Sequence, residues 1–146
     1  MSGWSIVLAI HILCAVIWVG GMFFALLVLR PSLAAIEAAQ RMKLHEQVFR
    51  RFFLIIWHVM PLALITGFAM LDGVYGGLSR ADWHINLMQL LGLVMAGIFV
   101  VIFFAPWARF RRGEDRSAAV DSIRRLIMLN LVLGLITVIV AALGGP

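Results

Sequence analysis

The chain has 146 residues, of which 64% are hydrophobic, and its mean hydropathy is +1.06. Soluble domains have roughly 45–50% apolar residues, so this composition excludes an ordinary soluble globular protein and indicates a lipid environment. There are 12 Lys and Arg residues against 7 Asp and Glu residues. The basic residues cluster at the ends of apolar runs, as membrane topology requires, so the positive charge does not indicate nucleic-acid binding.

Four charge-free runs divide the chain: residues 6–29, 52–71, 85–108 and 126–146. Each is close to the roughly 20 residues that cross a hydrocarbon core as a helix. Period-two alternation is absent, and backbone groups in lipid must be bonded within their own segment. We therefore predict one all-α transmembrane domain over residues 1–146. It is an up-down four-helix bundle with helices at about 4–29, 52–71, 84–107 and 123–143.

The distribution of positive charge predicts the orientation of this bundle. The first and third connections with their flanks hold eleven basic residues: Arg30, Arg41, Lys43, Arg50, Arg51, Arg109, Arg111, Arg112, Arg116, Arg124 and Arg125. The second connection holds Arg80 alone. The positive-inside rule then predicts cytoplasmic loops at 30–51 and 108–122, with both termini on the outer, periplasmic side. Within the first loop, residues 31–51 are predicted to be helical but not spanning, because Pro31 and Ser32 suit a helix start. Trp107 is predicted to lie in the inner aromatic belt.

Polar side chains within the predicted helices are candidates for function, because such groups are costly in hydrocarbon. They are His11, Cys14, His58, Thr66, His84, Asn86, Gln89, Asn130 and Thr137. The remaining histidine, His45, falls in the first basic connection and is interpreted as a solvated loop residue.

Copper is the first cofactor that these residues suggest. His11, Met70, His84 and Met88 are predicted to converge in the outer half of the bundle. Imidazole and thioether are ligand types that hold copper, and thioether favours Cu(I). The structural alternative is that the histidines are hydrogen-bonded core residues and the methionines fill space.

Haem b is the alternative cofactor, because facing helices can supply two axial imidazoles. His11 with His84 is the best pair, and His11 with His58 is more offset. No CxxCH motif is present, so covalent haem attachment is excluded. Deeper in the bundle, His58 and Asn130 are expected at similar depth and able to face each other, beside the helix-distorting Pro61.

The sequence also resembles a known family. Residues 8–24 read L-A-I-H-I-L-C-A-V-I-W-V-G-G-M-F-F, with His11 followed seven residues later by Trp-x-Gly-Gly. This segment resembles the opening of the copper-resistance D (CopD-like) membrane domain. The pattern continues in Arg-Arg-Phe-Phe at 50–53, Trp-His at 83–84, Ile-Arg-Arg-Leu at 123–126, and Asn-Leu-x-Leu-Gly at 130–134. The resemblance covers nearly the whole chain, as a short single-domain form.

The resemblance implies a multi-pass protein of the bacterial inner membrane that takes part in copper homeostasis, with His11 and His84 as the positions to test. The longer members of that family carry extra helices that this chain lacks. The four-helix pattern is also similar to HemJ-type protoporphyrinogen oxidases, which bind haem b, although their detailed motifs do not match here.

Three functions follow as hypotheses. The first is a copper-handling membrane protein that binds or transports copper. The second is a b-type haem-binding oxidoreductase or electron carrier, and the third is a cofactor-free assembly subunit. The expected partners are the lipid bilayer, a periplasmic copper-binding protein and a second copy of the chain. Gly92 and Gly97 are predicted at the homodimer contact.

Overall fold

The computed structural model describes residues 2–145, which form helices and no strand. The helices are α1 (Gly3–Phe24), α2 (Arg30–Ser32), α3 (Ala38–Gly73), α4 (Trp83–Phe104), α5 (Pro106–Arg111) and α6 (Arg116–Leu143). A π-helical turn, Ala25–Leu29, joins α1 to α2, and a 3-10 turn, Leu33–Ala35, follows α2. Four helical segments are long and apolar enough to cross a membrane: Gly3–Ala35, Ala38–Gly73, Trp83–Arg111 and Arg116–Leu143. The predicted all-α, four-helix membrane architecture is confirmed.

The four long helices form a ring of neighbours. The closest pairings are α1 with α3 and α4 with α6, and contacts of α1 with α6 and of α3 with α4 close the ring. Because consecutive helices run in opposite directions, the start of α1, residues 74–82 and the end of α6 share one end, called here the terminal end. The opposite end, with residues 30–51 and 105–125, is called the basic end. Which end faces the cytoplasm stays a prediction of the positive-inside rule.

Glycines allow close approach at particular helix contacts. A Cβ at Gly134 of α6 would lie 2.8 Å from Val19 Cγ2 of α1 and 3.2 Å from Met95 Cε of α4. At the terminal end, Gly73 lies against the Trp4 ring so closely that any Cβ would overlap it. Small residues therefore bring the helices together, as is typical of membrane bundles, where association depends on packing rather than on removal of apolar surface from water.

Aromatic rings fill the half of the bundle nearer the basic end. The Phe53 ring is at the centre of this aromatic cluster, with five ring centroids 5.3–6.4 Å away: Phe49, Phe52, Phe99, Phe103 and Trp107. The predicted position of Trp107 in the lipid interface is wrong, because its side chain is only 3% exposed. The helix α4 ends at Phe104 and Pro106 starts α5, in which Trp107 packs against the rings of Phe49, Phe53 and Phe110.

Candidate functional site

His11 is fixed to the neighbouring helix by two hydrogen bonds. Its Nδ1 atom lies 3.0 Å from Ala63 O and 3.0 Å from Thr66 Oγ1, both on α3. The Thr66 hydroxyl in turn donates to Leu62 O at 2.7 Å, one helical turn earlier. The imidazole is half-buried and Thr66 is buried, so this contact holds the ring at the α1–α3 interface within the terminal half of the bundle.

These bonds fix which ring nitrogen carries the proton. A backbone carbonyl can only accept, so Nδ1 must be the N–H that donates to Ala63 O. In the neutral imidazole, Nε2 then keeps its lone pair and makes no hydrogen bond to a described residue. Donation from one ring nitrogen to a carbonyl, with the other left as a base, is the arrangement found in metal-bound histidines. The Nε2 atom of His11 therefore remains free to accept a hydrogen bond or to bind a ligand.

The space beside this imidazole depends on a glycine. A Cβ at Gly67 of α3 would lie 3.2 Å from His11 Cε1, the ring carbon between the two nitrogens. The same Cβ would lie 3.4–3.5 Å from the side-chain amide atoms of Gln89 on α4. Gly67 thus lets the imidazole and the Gln89 amide approach from two different helices. Three helices contribute to this polar cluster, which consists of His11, Thr66, Gly67 and Gln89.

Met70 belongs to the same side of α3 as the His11 contact. Positions four and seven residues apart share a helix face, which places Met70 on the stripe of Thr66 and Ala63. At ~1.5 Å per residue, Met70 lies ~6 Å above Thr66, in the direction of the terminal end. It is half-buried. A thioether is therefore available about one turn above the imidazole.

His84 and Met88 form a second pair on α4. They are one turn apart, so they share a face, and both are half-buried. The His84 ring lies against Gly144 at the end of α6, so closely that a Cβ there would overlap the ring. Gln89, by contrast, is turned ~140° from His84 around the helix axis. By helix position, the four predicted copper ligands form two His–Met pairs: His11 with Met70 beside the α1–α3 contact, and His84 with Met88 on α4. Their convergence at a single site stays a prediction.

His58 and Asn130 do not meet. His58 is exposed on the outer surface of α3, and its Nδ1 lies 2.8 Å from Leu54 O of its own helix. Asn130 is 1% exposed and donates from Nδ2 to Met95 O of α4 at 3.2 Å. The expectation that they face each other is wrong. His58 points away from the bundle, and α3 lies diagonally opposite α6 in the ring of four helices.

The polar cluster was only partly predictable. Thr66 and Gln89 stand out in the sequence as polar residues within apolar runs, yet nothing in the sequence links either of them to His11. Among residues 2–145, no three His, Cys, Asp or Glu side chains group in a way that could hold a metal ion. Any metal site in the terminal half would therefore combine imidazole with other donors, such as thioether or amide.

Fold and site together define a small polytopic helical membrane protein with an oriented imidazole inside its bundle. The family whose model matches residues 46–143 is described as copper resistance protein D, CopD. Because this match covers most of the chain, the protein belongs to the CopD family and is a copper-resistance membrane protein. No curated protein and no solved structure gave a significant match.

The matched region includes three of the four helices. Met70, His84, Met88 and His58 lie within residues 46–143, whereas His11 on α1 lies before them. The likeness of residues 8–24 to the opening of the family, and the similarity to HemJ-type proteins, stay predictions. The family thus supports a role in copper resistance, while the residues that act on copper are a matter for proposal.

Proposed function

We propose that this protein handles copper inside the bacterial inner membrane, binding Cu(I) in the terminal half of the bundle for transport or storage. The observation that carries the proposal is the orientation of His11. Its Nδ1–H group donates a shared hydrogen bond to Ala63 O and Thr66 Oγ1, which leaves the Nε2 lone pair available to a metal.

The donors around this position suit the reduced ion. His11 Nε2 and the Met70 thioether form the first pair, and His84 with Met88 forms the second. Imidazole and thioether both bind a metal as neutral ligands, and soft thioether ligands select Cu(I) over harder divalent metals. A monovalent ion held by neutral ligands also places less charge in the hydrocarbon region than a divalent ion would. Two pairs on opposite sides of the bundle would allow an ion to move between them.

The expected surroundings follow from the orientation predicted above. If the terminal end faces the periplasm, the two pairs lie within reach of that side, and a periplasmic copper-binding protein is the partner that would deliver or receive the ion. The proposed homodimer has its contact at Gly92 and Gly97 of α4. Gly97 is exposed and has open space around its Cα, so it is free to meet a second copy.

The test is an anaerobic titration of the purified full chain with Cu(I), in competition with a chromogenic chelator, together with a visible spectrum. We expect tight binding of Cu(I) and no absorption from bound porphyrin. A Soret band from the protein as isolated would contradict the proposal and favour the haem-binding alternative. Failure to compete for Cu(I), in a protein that keeps its helical spectrum, would favour the assembly-subunit alternative.

Gly67→Ala is expected to weaken Cu(I) binding about tenfold, in the range found when groups that orient a metal ligand are changed. The added methyl would lie 3.2 Å from His11 Cε1 and displace the ring from its present position. Gly20→Ala on α1 is the matched control, because a Cβ there meets no atom within 4 Å. Equal Cu(I) affinities for both variants, measured by the same chelator competition, would argue against a site at His11.

A further inference from the structure

A cavity of about 530 Å³ opens at the basic end, between the extension of α1, α3 and α6. Its inner wall is apolar, with Ala25, Leu26 and Leu29 on one side and Ile127 on the other. Leu26 and Ile127 belong to the buried core of the bundle. The cavity therefore reaches from the end of the bundle into the level of the apolar spans, and its size is typical of a small-molecule site.

The rim of this cavity is basic. Arg30, Arg41 and Arg124 line it together with His45. Arg30 directly follows the charge-free run 6–29, so the rim lies where hydrocarbon would give way to headgroups. A smaller recess of about 320 Å³ adjoins the cavity and shares Arg41, His45 and Arg124 with it.

Only part of this positive charge is balanced within the protein. Arg124 Nη1 lies 3.2 Å from Asp121 Oδ1, and Arg41 Nε donates to the backbone oxygen of Ile36 at 2.9 Å. Arg30 makes no ion pair with another residue of the described chain. The guanidinium groups of Arg30, Arg41 and Arg124 supply the positive charge at the rim.

The backbone of α1 changes its hydrogen-bonding pattern at this cavity. Ala25–Leu29 forms a π-helical turn, and three of its five residues line the apolar wall. The wider π turn costs regular α-helical hydrogen bonds, and such turns occur frequently at functional sites. Immediately beyond it, Arg30 and Pro31 also line the cavity. The π-helical turn therefore places the apolar Ala25–Leu29 wall directly next to the Arg30 guanidinium group in the chain.

We infer that this cavity binds one anionic phospholipid, with its phosphate held by Arg30, Arg41 and Arg124 and an acyl chain against the Ala25–Leu29 wall. Guanidinium groups bind phosphate oxygens through charge-assisted, bidentate hydrogen bonds. Basic pockets between membrane helices are known sites for anionic lipid headgroups. A free phosphate ion would use the same rim but would leave the apolar wall exposed to water, so the shape of the cavity favours the lipid. This inference is independent of the proposed copper sites, which lie in the opposite half of the bundle.

Native mass spectrometry of the full chain with added phosphatidylglycerol tests the inference. Arg30→Gln with Arg124→Gln is expected to weaken phosphatidylglycerol binding roughly thirtyfold, as the loss of two phosphate-facing charges implies. The matched control is Arg51→Gln with Arg125→Gln, which removes the same charge from exposed residues that do not line the cavity. We expect the control to stay within about threefold of the parent, because exposed charges act only through screened, long-range attraction.

A second variant keeps every charge. Ala34→Trp places an indole at the cavity, where Ala34 is part of the lining, and is expected to reduce phosphatidylglycerol binding without altering the basic rim. Retained binding in this variant, or equal losses in the two arginine double variants, would overturn the inference. So would equally strong binding of phosphatidylcholine, or displacement of the lipid by millimolar inorganic phosphate. Cu(I) affinity should be unchanged in all three variants, which separates this result from the outcome of the copper proposal.

Discussion

His11→Ala is expected to lower the Cu(I) affinity of the His11–Met70 pair by about a hundredfold or more, while the His84–Met88 pair keeps both of its donors. Changes to groups that merely orient a metal ligand cost 10–100-fold, and loss of the ligand itself costs at least as much. Alanine also leaves Thr66 Oγ1 without the Nδ1–H that donates to it. The measurement is the anaerobic competition with a chromogenic Cu(I) chelator, on protein shown by circular dichroism to be helical.

His58→Ala is the matched control for this result. Both histidines lie within predicted spans, and both use Nδ1 to contact a backbone oxygen. They differ in direction, because His11 is bonded to a neighbouring helix whereas His58 is bonded to Leu54 of its own helix and is exposed. We expect His58→Ala to bind Cu(I) within about twofold of the parent, since surface changes of this kind have small effects. If the two variants lost Cu(I) affinity equally, the orientation of His11 would not determine Cu(I) binding.

The general architecture could be predicted because lipid imposes a simple rule on the chain. Four apolar runs of about the right length must be four helices, since no other segment can bond its backbone in hydrocarbon. The ends of the helices follow a weaker rule. The segment 31–51 is charged and lies outside the apolar runs, so it is predicted as a helix that does not span and that extends the first two helices or lies on the inner surface. In the structure, residues 38–51 continue α3, which begins at Ala38.

The rotation of each helix about its own axis was the part that the sequence could not predict. In a soluble helix, polar residues mark the outward face, but in a membrane both the inward and the outward faces are apolar. His11 and His58 therefore look alike in sequence, although one contacts α3 and the other faces outward. The same limitation applies to His84, because its direction depends on how α4 packs against α6, where its ring lies against Gly144.

The basic end shows a different limitation. His45 was interpreted as a solvated loop residue, whereas it is half-buried in α3, stacked on Phe49 with ring centroids 5.4 Å apart. Counting charges in the connections predicted orientation, but not that Arg30 and Arg124, far apart in sequence, line the same cavity. That convergence depends on the π turn after Phe24, for which the apolar sequence 25–29 has no recognisable signal.

Phe53→Ala is expected to destabilise the bundle by about 2–4 kcal/mol, slightly less than the usual cost of the same change in a soluble core. Phe53 is 1% exposed and contacts rings from α3, α4 and α5. In a membrane the unfolded side chain rests in lipid, so no transfer from water is lost. The cost is the cavity and the ring contacts that surrounded the side chain. Unfolding by denaturing detergent, followed by circular dichroism, measures it.

Phe24→Ala is the matched control for this packing effect, because Phe24 is 55% exposed at the surface of α1. This substitution should lower the free energy of unfolding by less than about 0.5 kcal/mol. If both substitutions were equally costly, burial in the aromatic cluster would not determine stability.

The aromatic cluster also lies in the opposite half of the bundle from His11. Phe53→Ala should therefore leave Cu(I) affinity almost unchanged as long as the protein is folded. Lower stability with unchanged Cu(I) affinity would show that the aromatic cluster holds α3, α4 and α5 together without positioning the proposed copper ligands. Loss of both properties at once would mean that the position of α3, which carries Ala63 and Thr66, depends on packing along its whole length.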